Sequence, residues 1–193
     1  MNSREKILAA VLNNQPASTE LPNDLSFVQI DQEQVVNKFV EVITAIGGTV
    51  LPIDDLSDIN AYVTATFNAT DELITFVPEL AHYPKFTGLE KPHQFVSTEF
   101  ALFEPHFAVA ENGAVWLTED RMGHRVLPFI CQHLGMLVRK ESIVANMHEA
   151  YQLIEAQQYS FGTFIAGPSK TADIEQSLVL GAHGARSMMI FLI

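Results

Sequence analysis

Residues 31–53 read DQEQVVNKFVEVITAIGGTVLPI, and this stretch decides the fold class. Asp31 is a helix-capping residue, since its carboxylate can accept an amide of the first turn. Val35, Val36, Phe39, Val42, Ile43 and Ile46 then recur at the three- and four-residue spacing of one helix face. Gly47 and Gly48 stop the helix, and residues 49–53 are rich in the β-branched and apolar residues of a strand. The alternation continues outward. Residues 54–68 read as a further helix and 72–77 as a further strand. Helix and strand in alternation predict an α/β layered fold around a mostly parallel sheet.

On the N-terminal side, Ser3 caps a first helix with Ile7, Leu8, Val11 and Leu12 on one face, followed by a polar stretch over 13–24 with Pro16 and Pro22. Residues 1–30 thus form an arm to a single domain that spans the chain. On the C-terminal side, 78–92 is loop-like and 93–96 reads as a short strand. Residues 107–110 and 114–118 are strands joined at Asn112-Gly113, a tight-turn dipeptide. Strands are expected over 134–138, 161–166 and 187–193, and helices over 143–157 and 171–178.

With 193 residues, 48% hydrophobic, the chain can bury a full core, which excludes dominant disorder. One cysteine, Cys131, excludes a disulfide scaffold and an all-cysteine iron–sulfur cluster. No apolar run approaches the ~18 residues of a membrane helix, and residues 1–6 carry mixed charge with no signal-like apolar core behind them; the cytoplasm is the expected compartment. A net charge of −12 opposes general nucleic-acid binding. The charge is uneven: residues 1–120 sum to −13 and residues 121–193 to +1. The C-terminal part therefore opposes an anion least.

Three segments carry candidate chemistry. Glu111 sits at a strand end beside the Asn112-Gly113 turn, a placement suited to a nucleophile or base and equally to a plain turn residue. Gly167-Pro168-Ser169-Lys170-Thr171 follows a strand and leads into a helix, so free amides, two hydroxyls and an ammonium can cradle a phosphate or carboxylate; an ordinary helix cap accounts for the same residues. It is not a Walker A loop. Gly181-Ala182-His183-Gly184-Ala185-Arg186 projects an imidazole from a tight loop, with Arg186 as an anion clamp; a structural turn is the plainer reading of His183. Arg121, His124 and Arg125 form a local basic group. Cys131 and His133 share a face if extended, which admits a nucleophilic pair, although a buried structural cysteine is the better account. His82, His93 and His148 read as surface or cap residues. No metal-ligand spacing occurs.

Taken together and in order, residues 107–117 (FAVAENGAVWL), Arg125-Val-Leu-Pro with His133 downstream, 166–175 (AGPSKTADIE) and 180–186 (LGAHGAR) resemble the lactate-utilisation (LUD) domain family of the LutC/YkgG type. The clear resemblance covers roughly residues 100–193. The family's usual Glu-Thr-Gly-Thr is Glu111-Asn112-Gly113-Ala114 here, and its His-Gly-Pro is His183-Gly184-Ala185. Two hydroxyls and a proline are therefore missing.

The resemblance implies an open α/β sheet with helices on both faces, like the NagB/RpiA/CoA-transferase superfamily. It also implies a part in oxidising L-lactate to pyruvate beside two iron–sulfur partners, LutA-like and LutB-like, which would carry the redox centres. The expected site comprises Glu111 and His183 as catalytic candidates. Gly113, Arg125, Gly167, Ser169, Lys170, Thr171, Gly184 and Arg186 are the ligand-binding candidates. Glu111-Asn112-Gly113 is also similar to the Glu-Asn-Gly of class I CoA-transferases. The alternative is thus an autonomous enzyme, transferring acyl groups through Glu111 or isomerising a sugar phosphate. Either reading expects Glu111, Ser169 and His183 to approach one crevice, beyond the carboxyl ends of their strands.

Overall fold

A computed structural model describes residues 2–19, 31–77, 79–80, 91–155, 158–171, 181 and 183–193. Among the described residues, nine strands form two sheets. The first contains β1 (Thr49–Pro52), β2 (Glu72–Thr75), β3 (Thr98–Phe103), β6 (His133–Val138) and β9 (Ser187–Leu192), in the order β1-β9-β6-β3-β2. All its pairings are parallel, with Ala101 opposite Leu134 and Leu134 opposite Met188. The second contains β4 (Phe107–Val109), β5 (Ala114–Thr118), β7 (Ile143–Val144) and β8 (Gly162–Ile165), in the order β7-β4-β5-β8. Here β5 runs antiparallel to both neighbours, so β4 and β8 point the same way.

Side-chain alternation along the strands builds the layers. On one face of the parallel sheet, Phe100, Leu102, Leu137 and Phe191 pack against Ile59 and Val63 of α3 (Leu56–Thr66). The opposite face presents Ala101, Leu134, Met136, Met188 and Ile190. These meet Val35, Phe39 and Ile43 of α2 (Gln32–Ala45) and the inner face of the second sheet, through Ala108, Val115 and Leu117. The outer face of the second sheet, with Phe107, Val109 and Trp116, is covered by Ala150 and Ile154 of α6 (Met147–Glu155). The expected mostly parallel sheet with helices on both faces is present, and a second sheet lies inside one of its helical layers.

Three local expectations change. Residues 93–96 are not a strand: Pro92–Phe95 form a 3₁₀ turn with Pro92 at its first positions, where a fixed φ favours a helical start. The helix expected from Ile143 begins at Met147, because Ile143 and Val144 pair with β4 instead. Helix α1 (Ser3–Asn13) is capped by Asn2 rather than Ser3, in a capping box with Glu5. None of its residues is buried, so its apolar stripe stays exposed. Two short helices unforeseen in the sequence, α4 (Glu119–Met122) and α5 (Leu127–Ile130), add Met122 and Leu127 to the main core. The helix expected over 171–178 lies, beyond Thr171, outside the described residues, as does most of the 78–92 loop.

Candidate functional site

The turn after β8 is held by the carboxy-terminal end of α2. Gly167 adopts φ +73°, and a Cβ there would lie 3.0 Å from the Ile46 carbonyl oxygen, so both the conformation and the space require glycine. The Pro168 ring sits against Gly47, and the Lys170 ammonium donates to the Ile46 carbonyl. From the other side comes the segment before β9. Ser169 N–H donates to the Ala185 carbonyl at 2.8 Å, and Gly181 N–H donates to the Ser169 carbonyl at 3.0 Å. A Cβ on Gly184 would lie 3.0 Å from Ser169 Cβ, so glycine here lets the two segments touch.

Between these segments lies a cleft of about 310 Å³. Pro128, Phe129, Leu134 and Phe164 supply an apolar wall; Ser169, Lys170 and His183 supply the polar groups. Lys170 and His183 are exposed and Ser169 is half-buried. The chemistry differs from the expected amide cradle. Pro168 has no N–H, and the Ser169 N–H is already committed to Ala185. The polar side chains that line this cleft are the Ser169 hydroxyl, the His183 imidazole and the Lys170 ammonium. That combination, over an apolar wall, suits a small organic anion.

Of the residues singled out in sequence, Gly167, Ser169, Lys170, His183 and Gly184 line this one cleft. Glu111 does not. Its carboxylate accepts the Met147 N–H at 2.8 Å, at the first residue of α6, and its own N–H donates to the Ala145 carbonyl. Gly113 turns with φ +70°, its Cα facing Ile43 and Ile46, so the 111–113 turn and Gly167 meet the same residue, Ile46, which caps α2. Asn112 accepts the Ala114 N–H through its side chain, closing that turn. Thr171 is buried next to the cleft segment. Arg186 is exposed, and its N–H donates to the Gln132 carbonyl at 2.8 Å.

Arg125 is engaged elsewhere. Its guanidinium grips Glu119 through two hydrogen bonds, 2.7 and 2.9 Å, and lies over the Phe161 ring. Those bonds hold the Glu119 carboxyl below its ordinary range. The rest of the local basic group is likewise spread: Arg121 faces Glu104 at 3.7 Å, and His124 Nδ1 accepts the Val126 N–H. Cys131 is fully buried, and burial pushes its thiol up to about 12, which makes it inert rather than nucleophilic. His133 pairs elsewhere, with Ser187 and Glu99. Among the described residues no group of three or more His, Cys, Asp or Glu side chains is placed to hold a metal ion, and no helix is long and apolar enough to cross a membrane.

The cleft's apolar wall was not foreseen. Phe129 is 44% exposed within a four-residue helix, and only its place directly after the Arg125-Val-Leu-Pro stretch flagged it. Position in the fold also differs from expectation. The strands β4 and β8 do end on one side, but that side is the amino edge of the parallel sheet, where Leu134 is the second residue of β6 and Ala185 precedes β9.

The LUD domain family model matches residues 68–193. Among curated proteins, the chain is 39% identical over 77 residues to lactate utilization protein C of Anoxybacillus flavithermus, covering 39% of this chain and 35% of that protein. It is 32% identical over 93 residues to lactate utilization protein C of Bacillus pumilus, covering 45% and 39%. The matched stretch thus spans little more than a third of these relatives' length. Among solved structures, a DUF162 family protein from Deinococcus radiodurans superposes with a TM-score of 0.60 at 20% identity, over 85% of this chain and 99% of that one, a likeness of fold.

Proposed function

Because the chain belongs to the LUD domain family, we propose that it serves lactate utilisation as a subunit or accessory protein whose cleft holds a small organic anion. The observation that carries this reading is the meeting of Ser169, Lys170 and His183 on one cleft, within the C-terminal segment 121–193 that is not acidic overall. A carboxylate would lie against the ammonium and hydroxyl, with the imidazole beside it as proton donor or acceptor for an adjoining hydroxyl or carbonyl. The apolar wall would take the carbon skeleton. With a single, buried cysteine, the chain would leave electron transfer to iron–sulfur partner proteins of the LutA-like and LutB-like kind, in the cytoplasm.

Calorimetric titration with L-lactate, pyruvate and inorganic phosphate tests this. Saturable binding of the carboxylates is expected, weakened more than tenfold by Lys170→Met, since a charged hydrogen bond contributes about 1.5–3 kcal/mol. Carboxylates that bind neither variant nor wild type, or that bind both alike, would remove the cleft from the function. Co-purification of the full chain with cysteine-rich iron–sulfur proteins from its own cells checks the partner reading separately.

A further inference from the structure

The amino edge of the parallel sheet holds a second constellation, on the face opposite the cleft. Ser187 opens β9 and His133 opens β6, and the two are register partners, so their side chains emerge on one face. Ser187 Oγ is 2.7 Å from His133 Nδ1. On the ring's other side, His133 Nε2 is 3.4 Å from Glu99 Oε1, on the neighbouring strand β3. In the tautomer with the ring proton on Nε2, towards the Glu99 carboxylate, Nδ1 presents its lone pair and the serine hydroxyl donates to it. A hydroxyl on a base that a third group orients is the arrangement that activates a serine nucleophile, recognised by geometry and not by chain order.

The surroundings leave room for a substrate. The His133 and Glu99 side chains are 34% and 38% exposed, so the relay opens to solvent instead of being sealed in the core. Half-buried Phe67, at the end of α3, packs its ring 5.7 Å from the imidazole and 5.0 Å from Phe100, an apolar contact beside the hydroxyl. The rim is acidic: Glu72, which accepts the Ser97 hydroxyl at 2.5 Å, stands on β2, the strand paired with β3 that carries Glu99. Free carboxylates are disfavoured there by like charge. Nothing in the proposed lactate role uses these residues.

We propose that Ser187, His133 and Glu99 form a second reactive site, which takes the acyl group of small neutral or cationic carboxylic esters onto Ser187. In the first step Ser187 Oγ bonds to the ester carbonyl carbon while its proton passes to His133 Nδ1. The imidazolium so formed faces Glu99. The ester C–O bond then breaks, and the departing alcohol oxygen takes the proton back from Nδ1. Water then gives a proton to Nδ1 as its oxygen bonds to the acyl carbon; the bond from that carbon to Ser187 Oγ breaks, the acid leaves, and Oγ takes the proton back from Nδ1.

The full chain is incubated with 4-nitrophenyl acetate, following nitrophenolate release and mapping the acetyl adduct by mass spectrometry. An adduct on Ser187 is expected. His133→Gln should slow its formation roughly 100-fold, the scale of general-base assistance, and Glu99→Gln by a smaller factor. Ser187→Ala should abolish it, and Ser187→Cys, which keeps a nucleophile in place, should still be acylated if the alanine variant folds poorly. A nitrophenyl ester with a carboxylate on its acyl group should react more slowly than the acetate. Acetylation only at lysines, or at Ser187 at a rate indifferent to His133→Gln, would overturn the site. An anionic ester reacting as fast as the neutral one would overturn the substrate class. Lactate titration reads neither outcome, so this site and the cleft stand or fall separately.

Discussion

Glu111 is the residue on which an acyl-transferring enzyme and a structural turn make opposite demands. Its carboxylate accepts the Met147 N–H at 2.8 Å across 36 residues of sequence, tying the turn after β4 to the start of α6. Two other contacts serve the same helix start: Asn146 Oδ1 accepts the Glu149 N–H, and Glu149 reaches back to the Ala145 N–H. Glu111→Ala leaves the Met147 amide without its partner and removes a negative charge from the positive end of the helix. Cap losses cost about 1 kcal/mol, and the charge adds about 0.3–1 kcal/mol. Because Asn146 and Glu149 still hold the first turn, about 1–1.5 kcal/mol in all is expected. For a chain of this size each kcal/mol shifts the unfolding midpoint by ~2–4 °C, so thermal denaturation should show a fall of about 2–6 °C. Glu111→Gln keeps an oxygen acceptor and should lose about half as much or less. Neither variant, nor the wild type, should form an adduct with an acyl-CoA. An unchanged midpoint in Glu111→Ala would refute the capping role. A wild-type adduct that disappears in Glu111→Gln at unchanged stability would make Glu111 a nucleophile.

Gly167→Ala must hold a side chain at φ +73° against a backbone carbonyl, so it should cost ~1–2 kcal/mol for the left-handed conformation alone and lower the urea midpoint accordingly. Gly184→Ala carries no such conformational cost; its methyl meets Ser169, so titration should show lost anion affinity with the fold retained. Cys131 should resist a thiol reagent at mild alkaline pH until denaturant is added. Its thiol is raised in the folded state from 9.0 to about 12, so the folded chain keeps a proton that the unfolded chain loses, and stability should decline as pH rises from 9 towards 12. His106 is depressed below 6.5 by burial and then by Arg121, against an opposing pull from Asp120. The unfolded state then binds the extra proton, so stability should be full above pH 6.5 and fall below it, and His106→Gln should flatten that acid limb.

Helix α2 was legible because its signals are local and agree: Asp31 accepts the Gln34 amide, Val35, Phe39 and Ile43 are buried at helical spacing, and the glycines end it. Strand β3 was missed for the opposite reason. Thr98–Phe103 is covered on both faces and nearly all buried, so it shows no alternation, and the expectation settled instead on the preceding Pro92 turn. The cleft's glycines and His183 were legible as a turn and a loop flanking strands. The fates of Glu111 and Arg125 were not, because what occupies them is a backbone amide on another element and a carboxylate brought round by a short helix.

The location of the cleft shows the limit most clearly. Open α/β sheets place ligands beyond the carboxyl ends of their strands, and the sequence reading applied that rule to the strand ending at Ile165. That strand belongs to the second sheet, where Val115 pairs with Ile165 and Trp116 with Phe164 across about fifty residues. Its carboxyl end abuts Leu134 and Ala185, at the amino edge of the parallel sheet, because Ser169 bonds Ala185 on the way into β9. The rule therefore brought Ser169 and His183 together, though not Glu111, and assigned them to the wrong edge. Period-two patterns state which residues share a face, but the relative direction of two sheets is set only by long-range pairing and by the clasp on Ile46. The same geometry puts the Ser187–His133–Glu99 relay on the edge that the rule would have left without chemistry.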